Sequence, residues 1–475
     1  MKSKVSIILL FCFPAIFICN SVFSQKPWTL EECIMYALDN NIRIKQQKLN
    51  TEYNSNILSQ SRADIYPNLN ANGSYGASFG RALDQTTYEF TQNQTVQSIN
   101  VGISSSATVF NGFTKLNTIK RNDFDLKASL QDLEKLKNDI SLNIAAAYLQ
   151  ILFNRELLEV ARNQLAITTQ QVDRTRVLVD AGSVARGNLL EIQAQQASEE
   201  LQVVNYENQL SISYLNLVQI LDLDSTGNFE IIIPEISSID EGKLLRSVDD
   251  VYQTAETGLP QIKASEYRLE SARKGLDIAK GIRYPRLSIT GNYGTGYSDI
   301  RQQVIDVNET SRIVGYTPEN VPVTINFPEP VYGSYPLSNQ FKDNASSSIF
   351  LNLSIPIFTN FQIRTGISNS QINMENYRLE LENNRNVLFK EIQQAYTDAI
   401  AALKKFKASE KALLATQEAF NYTREKFDVG LVNTVDYNLA QTQLFKTQSD
   451  LLQAKYNYIF KTNILNFYTG EPIKL

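Results

Sequence analysis

Two kinds of periodicity alternate along this chain. Residues 114–180 contain neither proline nor glycine, and Leu126, Leu130, Leu133, Leu136, Ile140, Ile144, Tyr148 and Leu152 recur at steps of three and four. That spacing holds one apolar stripe on a helix face over many turns, so the segment is predicted as a single helix. Gly182 to Gly187 interrupts it, and a partner helix is expected to about Leu221. A second pair is predicted from about Arg364 to Asp428 and from about Thr434 to Tyr468, with its break at Gly430. At about 1.5 Å per residue, each longer helix would run roughly 100 Å, a length no compact globule uses. Such a helix needs neighbours along all of it.

Elsewhere the period is two. Leu69, Ala71, Gly73, Tyr75, Ala77 and Phe79 alternate with Asn70, Asn72, Ser74, Gly76 and Ser78. Leu287, Ile289, Gly291, Tyr293 and Tyr297 alternate in the same way with Ser288, Thr290, Asn292, Gly294 and Ser298. Return strands carry Val101, Ile103, Ala107 and Val109, and Ile349, Leu351, Leu353, Ile355 and Ile357, on one face. The predicted strands are about 69–80, 97–110, 286–298 and 345–358. Apolar-out, polar-in alternation over about ten residues is what a bilayer-crossing strand requires, and the aromatics suit the lipid–water interface. A soluble four-stranded sheet competes on pattern alone but leaves the polar face and the long helices unexplained. A coiled-coil rod has no need of the strands. Ahead of the first strand a helix is predicted from Thr29 to Ile65, N-capped by Thr29, with Glu31 and Glu32 in its first turn. It ends before Pro67, which pushes the preceding residue out of helical geometry. Segments 81–96 and 299–344 are read as loops, the second holding Pro318, Pro322, Pro328, Pro330 and Pro336.

The chain repeats itself once. Tyr66-Pro67-Asn68-Leu69 answers Tyr284-Pro285-Arg286-Leu287 at an offset of 218. Further on, Phe110, Tyr148, Arg176, Asp180, Gly182 and Val184 answer Phe358, Tyr396, Arg424, Asp428, Gly430 and Val432 at an offset of 248, so the second copy carries 30 extra residues between the blocks. The organisation expected is a first repeat at 25–221 with its helical hairpin at 113–221, a connector at 222–246, a second repeat at 247–469 with its hairpin at 363–469, and a tail at 470–475. Four strands cannot close a barrel, for which about eight is the lower limit. If they span a membrane, several chains must share one barrel.

Composition removes most other functions. Histidine is absent, which excludes imidazole bases and His-ligated zinc. The three cysteines are Cys12, Cys19 and Cys33, too few for a metal cluster or a disulfide framework. No catalytic residue, cofactor or metal is expected. A net charge of −5 without a basic tract argues against nucleic acid as a partner. Residues 1–24 read as a signal peptide: Lys2 and Lys4 precede an apolar run, and Val22-Phe23-Ser24 suits cleavage. An uncleaved anchor is the competing reading of that segment. Downstream, no stretch approaches the roughly 18 apolar residues of a membrane helix, so any membrane entry is by strands.

Trp28-Thr29-Leu30-Glu31-Glu32 with Ala37, the Tyr-Pro-x-Leu motifs at 66–69 and 284–287, and the glycine-centred breaks at 182 and 430 together resemble the TolC-type outer membrane efflux protein family. The resemblance covers essentially the whole mature chain. It implies an α-helical barrel plus a transmembrane β-barrel. Each chain of a homotrimer gives four strands to a 12-strand barrel, which sits in outer membrane lipid and continues into a 12-helix periplasmic tunnel. The implied function is the passive exit duct of a tripartite efflux system, fed by an inner membrane pump (RND or ABC type) through a periplasmic adaptor, the membrane fusion protein. The alternatives are the outer membrane channel of a type I protein secretion system and, remotely, a periplasmic structural rod. By the same resemblance the helix breaks are periplasmic tips that receive the adaptor, here Gly182, Ser183, Val184, Gly430, Leu431 and Val432, with Ser183 where leucine is usual. Asp436 matches an aspartate that faces the lumen near the entrance in some members, whereas Leu439 stands where a second one would sit. Asn188 is the repeat equivalent of Asp436 and Glu191 that of Leu439. Asp436 and Glu191 are therefore the candidates for an anionic entrance ring. The alternative for Asp436 is a carboxylate that interacts with its own helix dipole.

Overall fold

The computed structural model describes residues 27–83, 90–224, 229–234, 247–471 and 473, so the segment read as a signal peptide and much of the connector lie outside the described residues. Nine helices are described: α1 Leu30–Asn40, α2 Ile42–Ala63, α3 Thr114–Asp180, α4 Arg186–Ile220, α5 Val248–Gly258, α6 Pro260–Gly281, α7 Leu337–Asp343, α8 Gln362–Asp428 and α9 Thr434–Tyr468. The described strands are β1 Asn68–Leu83, β2 Phe90–Asn111, β3 Arg286–Ser298, β4 Gln302–Tyr316, β5 Pro322–Ser334 and β6 Ser346–Ser354. The described residues form two compact units, one made of those within 27–46, 136–258 and 389–473, the other of those within 47–135 and 259–388. Each unit draws on both halves of the sequence.

In the second unit, four strands make one antiparallel sheet in the order β1-β2-β3-β6. Its register places Leu69 opposite Ser105, Ala71 opposite Ile103, and Ile103 in turn opposite Tyr293. Ile289 likewise faces Ala107 on one side and Leu351 on the other. Odd-numbered positions therefore share one face, which is mostly apolar, while Asn70, Asn72, Ser74, Ser104, Asn292 and Ser348 share the other. A slip of one residue would exchange the two faces. Leu69, Tyr75, Phe79, Tyr293, Ile349 and Leu351 are all exposed on the single chain. β1 and β6 are the sheet's edges, and β6 stops at Ser354 rather than near 358 because Pro356 has no N–H for the ladder.

Segment 299–344 is not a loop. It holds the β4–β5 hairpin, a separate two-stranded sheet, and the short helix α7. Beyond Gly294, where pairing with β6 ends, α7 meets the backbone of β3. Asn344 Nδ2 donates to Gly296 O (2.6 Å), Ser298 N–H donates to Gln340 Oε1 (3.0 Å), and Gln340 Nε2 donates to Ser298 O (2.9 Å). Gln340 is fully buried, so its amide does for β3 what a neighbouring strand would do. Where β2 turns into α3, Gly112 adopts φ +64 and packs against the end of α6, and a Cβ on Gly281 would stand 2.6 Å from Gly112 O. Both positions require glycine.

In the first unit, Thr29 N-caps α1 through a capping box: Glu32 N–H donates to Thr29 Oγ1 (3.0 Å) and Thr29 N–H to Glu32 Oε2 (2.9 Å). The single helix expected to Ile65 is two helices, broken at Asn41. Asn41 Oδ1 accepts from Arg43 N–H (3.0 Å), its Nδ2 donates to Ile220 O (3.1 Å), and Asp222 Oδ2 accepts from Ile42 N–H (3.0 Å). The amide and the carboxylate satisfy the orphan donors of a new helix start. Within the connector, Phe229–Pro234 is described. Trp28 N–H donates to Glu230 O (2.8 Å) and Ile232 N–H to Trp28 O (2.9 Å), forming a parallel bridge to Ile231. The buried Tyr148 hydroxyl of α3 reaches Trp28 O (3.1 Å) and Ile232 O (2.5 Å). Burial raises its pKa well above the usual phenol range, which keeps it a donor. Beside it Cys33 is fully buried, and its thiol is pushed up to about 12, a packing residue rather than a nucleophile.

Tyr148→Phe should leave Ile232 O without that donor. A loss of about 1–3 kcal/mol is expected, read as a lower unfolding midpoint of the detergent-solubilised protein with its secondary structure unchanged.

Candidate functional site

Both helical hairpins turn through the same backbone motif. α3 ends at Asp180, Gly182 takes φ +74, Gly182 N–H donates to Val179 O (2.9 Å) and Ser183 N–H to Leu178 O (2.8 Å). α8 ends at Asp428, Gly430 takes φ +78, Gly430 N–H donates to Phe427 O (3.0 Å) and Leu431 N–H to Lys426 O (2.8 Å). These paired bonds are the Schellman arrangement, which uses up two orphan carbonyls of each helix. A Cβ on either glycine would meet nothing within 4 Å, so glycine serves here for its left-handed backbone and not for lack of space.

The side chains around the two turns differ. At the second, Asn433 N-caps α9, accepting from Asp436 N–H at 2.8 Å. At the first, Ala185 precedes α4 with no side-chain cap. Leu431 is 76% exposed and Val429 is 70% exposed on the single chain, whereas Val432 and Val184 are half-buried and Ser183 is exposed. Of the two apolar residues named at the second tip, Leu431 is exposed and Val432 is half-buried. Asp436 lies in the first turn of α9 and Glu191 in the second turn of α4, both exposed. As its Asn433 bond shows, the Asp436 backbone completes a cap, and the side chain takes no part in it.

Sequence reasoning missed the group that fixes the second hairpin. Tyr437, fully buried, stacks on Phe427 at 4.6 Å between ring centroids and leans on Phe420 at 5.6 Å. Burial raises its hydroxyl pKa. The signal was available: Phe420, Phe427 and Tyr437 sit at helical spacing on either side of the glycine. Arg174 of α3 forms an ion pair with Asp428, the last residue of α8, and both partners are partly exposed. Such a pair contributes at most about 1 kcal/mol. Gln441 Nε2 of α9 donates to Thr168 Oγ1 of α3 at 3.1 Å in buried surroundings. Among the described residues no three His, Cys, Asp or Glu come together as metal ligands, and no helix is long and apolar enough to cross a membrane.

The chain is similar to known proteins in sequence and in fold. The family model described as outer membrane efflux protein matches residues 34–222 and 251–471. The outer membrane efflux protein BepC of Brucella suis biovar 1 (strain 1330) is 20% identical over 443 residues, covering 93% of this chain and 85% of its own. The outer membrane protein TolC of Escherichia coli (strain K12) is 21% identical over 389 residues, covering 76% of this chain and 72% of its own. The crystal structure of the Campylobacter jejuni CmeC outer membrane channel shares the fold with a TM-score of 0.75 at 16% identity, over 93% of this chain and 85% of that one. Two family matches, one in each repeat and each ending just beyond a helical hairpin, place the chain: it belongs to the outer membrane efflux protein family.

Proposed function

We propose that three copies of this chain close one barrel in the outer membrane and extend it into a periplasmic duct. As a member of its family the chain works in the outer membrane, as the exit duct of an efflux system. The observation that carries the assembly is the open sheet. It has four strands, free edges at β1 and β6, and one apolar face exposed on the single chain. A bilayer tolerates such strands only when closed, and three copies would supply twelve. An inner membrane pump of the RND or ABC type supplies cargo and energy, and a periplasmic adaptor links it to the duct. The cargo is the pump's choice, so the duct itself needs no reacting group. Light scattering of the detergent-solubilised protein from the outer membrane fraction should give a trimer. A dimer, or a protein soluble without detergent, would overturn the assembly.

The two glycine turns are the docking tips in this reading, with Gly182, Ser183 and Val184 on one and Gly430, Leu431 and Val432 on the other. Leu431 supports it most directly, because an exposed leucine at a turn has no core of its own to enter. Gly430→Pro, which forbids positive φ, and Leu431→Asp should each abolish export while trimer yield is unchanged. Full export by both variants would remove the tips from docking.

Asp436 and Glu191 form the entrance ring, three copies of each converging on the axis. Close like charges favour cations, multivalent ones most. In planar bilayers Asp436→Asn should lower cation selectivity and weaken block by a trivalent cation applied from the periplasmic side. Asp436→Asn with Glu191→Gln should lose more than either alone. Unchanged selectivity in the double variant would return both carboxylates to the outer, solvated surface of their helices.

A further inference from the structure

The four places where the sheet hands over to helices form one continuous rim. The Lys115 ammonium of α3 donates to Asp64 O, just past the end of α2. Gly112, ahead of α3, packs on Gly281 at the end of α6. Arg286 opens β3 opposite Asn111 of β2 and Ser354 of β6. The junctions at 60–67, 112–121, 278–286 and 355–364 therefore stand side by side at one end of the sheet.

Charge is distributed unevenly between the two ends. Over those junctions the sequence has eight cations and one carboxylate, Asp64, in a chain whose net charge is −5. At the opposite end of the strands, residues 81–90 and 299–346 hold four cations and eight carboxylates. Arg62, Lys120, Lys280, Arg283 and Arg364 of the junctions are exposed, and none has an ion-pair partner among the described residues. Farther along the same helices cations are paired, Arg268 with Asp132, Lys274 with Asp277 and Arg385 with Glu266. At the rim, Arg121 Nε is shielded from solvent and meets no acceptor among the described residues. Like charges gathered in this way repel one another unless an anion lies between them.

Aromatic rings are interleaved with these cations. Phe110 stands opposite Leu287, on the apolar face of the sheet, and Phe113 packs on it edge-on at 5.5 Å. Phe358 and Phe361 are the repeat-equivalent pair, at 5.8 Å. Phe113, Phe358, Phe361, Tyr66 and Tyr284 are all exposed on the single chain. Exposed rings and unpaired cations at the end of an apolar face are what the headgroup level of a bilayer selects, rings for the interface and cations for phosphate. Arg286 stands apart, because its register places it on the polar face with Ser288.

We propose that this rim binds anionic phospholipid headgroups in the periplasmic leaflet, with Arg62, Lys120, Lys280, Arg283 and Arg364 holding their phosphates. The inference rests on the assembly reading above and adds a lipid class to it. A zwitterionic headgroup would bring its own ammonium into a rim that has one carboxylate, so a lipid of net negative charge is preferred.

Native mass spectrometry tests this, because one spectrum reads both the oligomer and the lipid it retains. The detergent-solubilised full chain is mixed with equal amounts of dioleoylphosphatidylglycerol and dioleoylphosphatidylcholine. Phosphatidylglycerol should be retained several-fold over phosphatidylcholine, and less so as salt rises. Each cation changed to glutamine should weaken that preference by about fivefold. Arg62→Gln, Lys120→Gln, Lys280→Gln, Arg283→Gln and Arg364→Gln combined should abolish it, whereas Arg62→Lys, Arg283→Lys and Arg364→Lys combined should keep it. The unmodified chain decides by itself if the glutamine variant does not assemble. A trimer that retains both lipids equally would overturn the site and leave the assembly standing. Displacement of the lipid by the same concentration of inorganic phosphate would make the rim a free-anion site and overturn the lipid assignment. A glutamine variant with unchanged lipid preference but altered ion selectivity in planar bilayers would put the cations in the lumen and also overturn it. A monomer or dimer in the spectrum would overturn the assembly instead.

Discussion

A strand edge in hydrocarbon has nothing to bond with. Each unpaired N–H or C=O there costs several kcal/mol, and the sheet described here ends in two such edges, β1 and β6. At its C-terminal end β3 meets the same problem and solves it internally, where Gln340 and Asn344 take the place of strand neighbours. Among the described residues nothing caps β1 and β6 in this way, and four strands are too few for the two edges to meet. In the assembly proposed above further copies supply the missing neighbours, and the two-faced pattern of the strands agrees with it. A closed barrel presents one face to lipid and the other to water.

Much of this was legible in the sequence because the relevant signals are periodic. The bounds of α3 and α9 and of β3 coincide with those predicted, since glycine, proline and a change of period all fall at the same positions. The break between α1 and α2 was not legible. Ala37 and Ile44 lie seven residues apart and are both fully buried, so the apolar stripe runs on across Asn41 as though the helix were continuous. Only the capping chemistry of Asn41 and Asp222 marks the interruption, and Asp222 is 181 positions away along the chain. The second repeat breaks at the equivalent place by other means, with Pro260 as the first residue of α6.

The hairpin β4–β5 was hidden by its prolines, which signal loops when strands are assumed to be paired on both sides. Pro322, Pro328 and Pro330 are separated by even numbers of residues, so they remove donors from one side of β5 only. The ladder to β4 keeps the other side, with Pro328 opposite Glu309 and Pro330 opposite Val307. A two-stranded ribbon can carry proline at such positions, whereas a central strand cannot. The candidate docking and entrance residues were legible as positions, because glycine turns stand out. Their surroundings were not: the partial burial of Val432 and the Tyr437–Phe427 stack depend on how one hairpin folds over its own turn.

The two turns show that a shared backbone does not make the repeats equivalent. Both glycines sit near φ +75 with the same pair of bonds behind them. After the second, Asn433 caps α9, Tyr437 is buried between Phe420 and Phe427, and Arg174 reaches Asp428 from the other hairpin. After the first, α4 starts from Ala185 with no side-chain cap. An absent cap alone is worth about 1 kcal/mol of helix-end stability. Opening free energies within one protein follow such local differences. The first turn is therefore the easier one to open, and the second is held by its own aromatic core. Around a threefold axis, the tips would alternate between the two kinds. In the trimer proposed above, an entrance built from them would have six turns of one geometry but two grades of stiffness, set by side chains rather than by the backbone.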